Sequence, residues 1–191
     1  MRGTDATSAR RLAYFSAQAV VDGQDSWAAV MEVIRAVERA GWAVDLYRPQ
    51  YPPGPAPTAL ERYTAIGGAA RHLVSRLSAY DAVYVRSHPL AWSLVRAARR
   101  AAVPVIQECN GSWEDAFAAW PAVRPFAPLI IAMQRAQYRS ADAVIAVSDT
   151  LASWLETETG RNDVVVSPNG ANTELFRPGL PRPDGMPERY A

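Results

Sequence analysis

A chain of 191 residues is long enough for one domain with a sizeable core and cramped for two. Apolar residues make up 49% and charged residues 20%, and a net charge of +1 lacks the basic surplus of a dedicated nucleic-acid binder. There is no Lys, which excludes a P-loop ending in Gly-Lys-Ser/Thr and a Lys Schiff base, and the single Cys109 excludes an intrachain disulfide or a thiolate zinc site.

Residues 1–10 are polar and are expected to form a disordered arm, without the apolar run of a signal peptide. Leu12 to Phe15 reads as a first strand. A helix follows from about Trp27 to Ala40, because Trp27, Val30, Met31, Ile34 and Val37 recur at helical spacing and Gly41 ends the run. Val44 to Tyr47 is the second strand, so the first unit is βαβ with a right-handed crossover. Pro49 to Pro57 is a stiff surface connection.

A helix is expected around Ala69 to Leu77, after Gly67-Gly68, and a third strand at Ala82 to Val85. The helix Pro89 to Ala101 carries Trp92, Leu94 and Val95 inward, with Arg96, Arg99 and Arg100 as a solvated stripe. Val103 to Ile106 reads as the fourth strand, followed by helices at Trp113 to Trp120 and Phe126 to Tyr138. Core packing is the default for Trp113, Phe117, Trp120 and Phe126, with an exposed patch for a lipid-linked acceptor or membrane surface as the other reading.

Residues 139–178 carry the most specific pattern. Ala143 to Val147 is a nearly continuous apolar run, as expected of a strand buried on both faces of a parallel sheet. Ser148 is placed to cap the next helix, Gly160 to stop it, and Val164 to Val166 forms the last strand before Ser167-Pro168-Asn169-Gly170. The whole reads as one α/β domain with a doubly wound, mostly parallel sheet and helices on both faces.

In such sheets ligands bind outside the carboxyl ends of the strands. Gly23, Asp25, His88, Glu108, Asn110, Ser148, Asn169 and Asn172 fall there. Ser148 lacks the glycines of a nucleophile elbow and reads as a cap. His88 is a surface-loop histidine or a ligand contact. Glu108 and Asn110 either organise their own turn or hydrogen-bond a ligand. The first loop has no dinucleotide fingerprint, so NAD and FAD have no motif support. One Cys and two distant His give no transition-metal pattern.

Ala141-Asp142, Ser148, Pro168-Asn169-Gly170 and Phe176-Arg177-Pro178 together resemble the end of the N-terminal domain of glycosyltransferase family 4. This chain has Ala171-Asn172 where valine-aspartate is usual. It has Gln24 after Gly23 where paired glycines are common, and Asn110 where many members carry a sugar-contacting histidine. A subset with glutamate, one residue and asparagine is closer to Glu108-Cys109-Asn110.

The resemblance implies one Rossmann-like half of a GT-B fold over residues 11–178, with 179–191 a linker towards an absent second domain. It implies the acceptor-binding half of a retaining transferase that uses a nucleotide sugar as co-substrate, with no cofactor and no protein-held metal. The acceptor would be a glycan, lipid-linked or small molecule, as in polysaccharide biosynthesis. Gly23, Asp25, His88, Glu108, Asn110, Asn169, Gly170 and Asn172 would face it. A cytoplasmic location is expected, with peripheral contact at the inner membrane face left open, and this half alone should be inactive. The alternative is a non-catalytic Rossmann-like ligand- or partner-binding module.

Overall fold

The computed structural model describes residues 9–20, 25–51, 56–170 and 179. In chain order these form β1 (Arg11–Phe15), α1 (Asp25–Arg39), β2 (Ala43–Tyr47), α2 (Ala59–Val74), β3 (Ala82–Arg86) and α3 (Trp92–Arg100). Then come β4 (Val105–Cys109), α4 (Trp113–Ala119), α5 (Ala127–Ser140), β5 (Ala143–Ala146), α6 (Asp149–Thr159) and β6 (Val164–Val166). Short 3-10 turns lie at Leu77–Ala79, Pro89–Ala91 and Pro121–Phe126.

The strands make one fully parallel sheet in the order β2-β1-β3-β4-β5-β6. Strand order reverses between β1 and β3, the point where such sheets open a crevice at their carboxyl edge. Alternate strand residues feed two cores. On one face Ala13, Phe15, Val83, Val85, Val105 and Val144 meet Leu73 of α2, Leu94 and Val95 of α3, Tyr138 of α5 and Leu155 of α6. On the other, Leu12, Tyr14, Ala82 and Tyr84 meet Val20 and the Val30 and Ile34 of α1. This is the doubly wound sheet that the apolar runs imply.

Local chemistry fixes the helix ends. Ser148 Oγ accepts from Leu151 N at 3.3 Å, and Gly160 closes α6 in the left-handed region at φ 72°. Gly41 does the same after α1, at φ 88°.

Two elements differ from the sequence reading. Helix α2 begins ten residues earlier than Ala69, at Ala59. Thr58 and Glu61 form a capping box there, with Glu61 N donating to Thr58 Oγ1 and Thr58 N to Glu61 Oε2. Gly67 and Gly68 lie inside the helix, which Ile66, Ala70 and Leu73 anchor to the core at the expected helical interval. The fourth strand is shifted to Val105–Cys109. Pro104 has no N–H for a ladder, while Val103 N bonds back to Ala98 O and belongs to the end of α3. Glu108 is therefore a strand residue, not a loop residue. Trp92, expected to be buried, is half-buried.

Residues 1–8 of the N-terminal arm, and all of the C-terminal linker except Gly179, lie outside the described residues.

Candidate functional site

Tyr14, Tyr84, Arg86 and Glu108 occupy alternate positions on β1, β3 and β4, so their side chains share the sheet face that α1 covers. The Tyr14 and Tyr84 rings stack at 4.8 Å. Tyr14 OH donates to Glu108 Oε2 at 3.0 Å, and Arg86 Nη1 donates to Glu108 Oε1 at 3.1 Å. The Arg86 and Glu108 side chains are 11% and 2% exposed. Both carboxylate oxygens are thus committed, and the pair is neutral as a unit. Burial, reinforced by the Glu108 charge, holds the Tyr14 and Tyr84 hydroxyls far above their usual range, so both stay protonated. The Arg86 Nε is buried and has no partner among the described residues.

The opposite face of the same strand ends is organised by buried Gln137 of α5. Its Nε2 reaches the carbonyls of His88 at 3.3 Å and Pro89 at 3.4 Å, and its Oε1 receives Gln107 Nε2 at 3.4 Å. These long bonds tie α5 to the turn after β3. His88 caps that turn, with Nδ1 accepting from Leu90 N at 3.2 Å. Burial lowers His88 to about 4, so the ring is neutral near pH 7 with its proton on Nε2. Burial also pushes the Cys109 thiol up, which makes it a core residue and a poor nucleophile.

Asn110 follows β4. It is half-buried, yet both Oδ1 and Nδ2 are sealed from solvent without a hydrogen-bond partner among the described residues. Leaving such atoms unpaired costs about 1–3 kcal/mol each, and native structures contain few of them. The fold thus brings His88, Glu108 and Asn110 together at the ends of neighbouring strands β3 and β4. Asn169 and Gly170 are exposed beyond β6. They share the carboxyl edge, but β6 lies two strands from β4, about 10 Å away.

Gly23 and Asn172 lie outside the described residues; Asp25 opens α1, and its side chain is likewise outside them.

Sequence reasoning missed Tyr14, Arg86 and Gln137. An alternation signal was present: Tyr84 and Arg86 are two apart, as are Glu108 and Asn110. Charge at the end of an apolar strand implies a partner on the next strand. Gln137 carried no comparable signal.

Among the described residues, no group of three or more His, Cys, Asp or Glu side chains is arranged to hold a metal ion. None of their helices is long and apolar enough to cross a membrane. A shallow hollow lined by Val74, Leu77, Ala97 and Arg100 lies at the carboxyl ends of α2 and α3, remote from the strand carboxyl ends.

No curated protein matches this sequence. The fold matches a sucrose-phosphate synthase from Thermosynechococcus elongatus with TM-score 0.66 and 16% identity, over 88% of this chain and 50% of that one. It also matches HepE of Anabaena, solved with UDP and glucose, with TM-score 0.54 and 16% identity over 88% and 47%. LpCGTa, solved with UDP, gives TM-score 0.54 and 14% identity over 88% and 56%. The chain therefore spans about half the length of these structures. Residues 28–175 match the family model of Glycosyltransferase Family 4, and the chain belongs to that family.

Proposed function

We propose that this chain forms the acceptor-side wall of a retaining glycosyltransferase that uses a nucleotide sugar. The observation that carries the reading is the half-buried Asn110 at the carboxyl edge of the sheet, whose amide donor and acceptor have no partner among the described residues and reach a ligand by a turn of the side chain. A sugar hydroxyl, itself donor and acceptor, matches that pair. His88 adds an Nε2–H nearby and remains neutral at physiological pH. Family membership and the UDP found with two proteins of like fold support the choice of a nucleotide sugar as donor.

Glu108 acts in this reading as a positioning residue. Its carboxylate is fully engaged by Arg86 and Tyr14, so it fixes the end of β4 from which Asn110 projects. The same pairing cancels the one buried guanidinium among these strand-end residues. A departing nucleoside diphosphate needs positioned positive charge or dipoles. Stabilising it therefore falls to a second domain that faces this wall, and this wall orients the acceptor.

The test is steady-state kinetics on the enzyme with both walls present. Asn110→Ala should raise acceptor KM about tenfold, as expected for one hydrogen-bonding group, with donor KM unchanged. Its thermal midpoint should hold or rise, because the variant removes two unpaired polar atoms. Unchanged acceptor kinetics would remove Asn110 from the site. Absence of nucleotide release above background with UDP-, GDP- and ADP-sugars would favour a non-catalytic binding module.

A further inference from the structure

The eighteen residues 116–133 (AFAAWPAVRPFAPLIIAM) contain a single charge, Arg124. Such a stretch is ordinarily buried. Here Trp120, Phe126 and Leu129 are 59%, 62% and 60% exposed, so the aromatics after β4 divide, with Trp113 inside and Trp120 and Phe126 outside. On α2, Leu60 and Tyr63 are exposed as well, at 71% and 60%. The Arg62 guanidinium lies 5.4 Å from the Trp120 ring centroid and joins the first turns of α2 to this segment. Three of the eight large apolar side chains exposed among the described residues thus fall within the ten residues 120–129, which is clustering and not scatter, while Leu60, two residues from Arg62, lies on the far side of α2 from Trp120.

Charge selects the occupant. Arg62 and Arg124 anchor their Nε groups on the carbonyls of Pro57 and Phe117, at 3.1 and 3.2 Å, and neither forms an ion pair among the described residues. Of the nearby acids, Glu61 and Asp115 are turned back onto Thr58 and Ser112 as helix caps. Glu114 and Asp115 also sit at the far end of α4, about 8 Å along its axis from Trp120. What remains outward is indole, phenyl and leucyl surface with two uncompensated guanidinium groups. Tryptophan and tyrosine beside arginine suit the headgroup zone of a bilayer, where the ring buries its apolar body and the cation meets anionic lipid.

We propose that this patch docks the protein onto an anionic lipid bilayer, with Trp120, Phe126 and Leu129 inserted at headgroup level and Arg62 and Arg124 on lipid phosphates. Helices α2 and α5 both start at the carboxyl side of the parallel sheet, so docking sets the strand ends close to the membrane surface. The docking does not depend on the catalytic reading.

The experiment is vesicle flotation with the 191-residue chain. Phosphatidylcholine vesicles are compared with vesicles containing one part in three phosphatidylglycerol. Binding to the anionic vesicles should be about tenfold stronger, and Arg62→Gln with Arg124→Gln should abolish that preference. Trp120→Ser with Phe126→Ser should cut binding about tenfold or more, with the circular dichroism spectrum unchanged.

Should the double serine variant fail to fold, brominated-lipid quenching supplies the test. Tryptophan fluorescence should be quenched in the wild type and much less in the conservative Trp120→Phe. The proposal is overturned by no flotation of the wild type, by equal flotation of the variants, or by quenching that survives Trp120→Phe. It is also overturned if the wild type is a dimer that the serine substitutions dissociate, since the patch would then join two copies of the chain.

Discussion

The Tyr14 hydroxyl donates to Glu108 Oε2 at 3.0 Å across 94 residues of sequence, bridging β1 to β4 over the intervening β3. Arg86 on β3 takes the other oxygen at 3.1 Å. Three strands are thus tied by one buried carboxylate. Desolvating the pair offsets much of its attraction, so the arrangement adds little net stability, yet breaking it strands a charge. Glu108→Ala is expected to lower the unfolding free energy by about 3–5 kcal/mol, because Arg86 remains buried without its partner. Replacing the two together, as Arg86→Met with Glu108→Leu, should lower it less than Glu108→Ala does. Urea denaturation of the three proteins checks this, and a double variant less stable than Glu108→Ala would contradict it.

His88 makes stability depend on pH in one window. Its folded pKa is lowered to about 4 by burial, against an ordinary value of 6.5. The unfolded chain therefore takes up the proton first. This group's effect is absent above about pH 6.5, and stability falls as pH drops from there towards 4. Carboxylates held low act from about their ordinary values downward, 4.5 for Glu61 hydrogen-bonded by Thr58 and 3.8 for Asp45 hydrogen-bonded by Tyr80 and Arg11, so most of the His88 window lies above theirs. His88→Asn keeps a capping acceptor for Leu90 N but does not titrate. Its thermal midpoint should match the wild type at pH 7.5 and exceed it at pH 4.5. Parallel curves for the two proteins would show that the ring is not the titrating group.

The fold was legible because buried parallel strands announce themselves as apolar runs, and Ser148, Gly41 and Gly160 mark helix ends by mechanisms that need no tertiary information. Helix α2 was half missed. The Thr58-x-x-Glu61 box was in plain view, but two glycines weigh against a helix in any local reading, and only the buried Ile66, Ala70 and Leu73 override them. The site was legible as a set of strand ends, not as geometry. That Glu108 is enclosed while Asn110 is left unpaired depends on which side chains of β1 and β3 reach across, and alternation gives a face without giving a partner. Gln137 arrives from a helix whose sequence shows no sign of contact with β3.

Two glycines should respond to alanine with opposite signs. Gly160 closes α6 at φ 72°, a conformation an alanine adopts only with strain, although no atom lies within 4 Å of the added Cβ. Gly160→Ala should therefore cost about 1–2 kcal/mol through the backbone alone. Gly68 is inside α2 at an ordinary helical φ, also with nothing within 4 Å of a new Cβ. Gly68→Ala should stabilise by about 0.5–1 kcal/mol. Thermal or urea melts of the two variants test the pair. A stabilised Gly160→Ala would mean that the α6 terminus is not left-handed in solution.

The chain by itself is expected to fold and not to transfer sugar. Folding is expected because the sheet is complete from β1 to β6 and both faces have a buried core. A cooperative urea transition should report it. Inactivity follows from the number of walls. In the proposed enzyme the acceptor and the nucleotide sugar meet in a cleft between two domains, and this chain spans about half the length of the structures it matches. With only one wall, a bound diphosphate would face water. The negative charge that develops as the glycosidic bond breaks would then be screened at high dielectric, not met by fixed groups. Arg86 cannot substitute, since Glu108 already neutralises it. Nucleotide release from UDP-, GDP- and ADP-sugars should therefore stay at the hydrolytic background with this chain and rise when a donor-binding domain is supplied. Turnover well above background by the chain alone would show that these strand ends suffice for the chemistry, and the acceptor-wall reading would have to be given up.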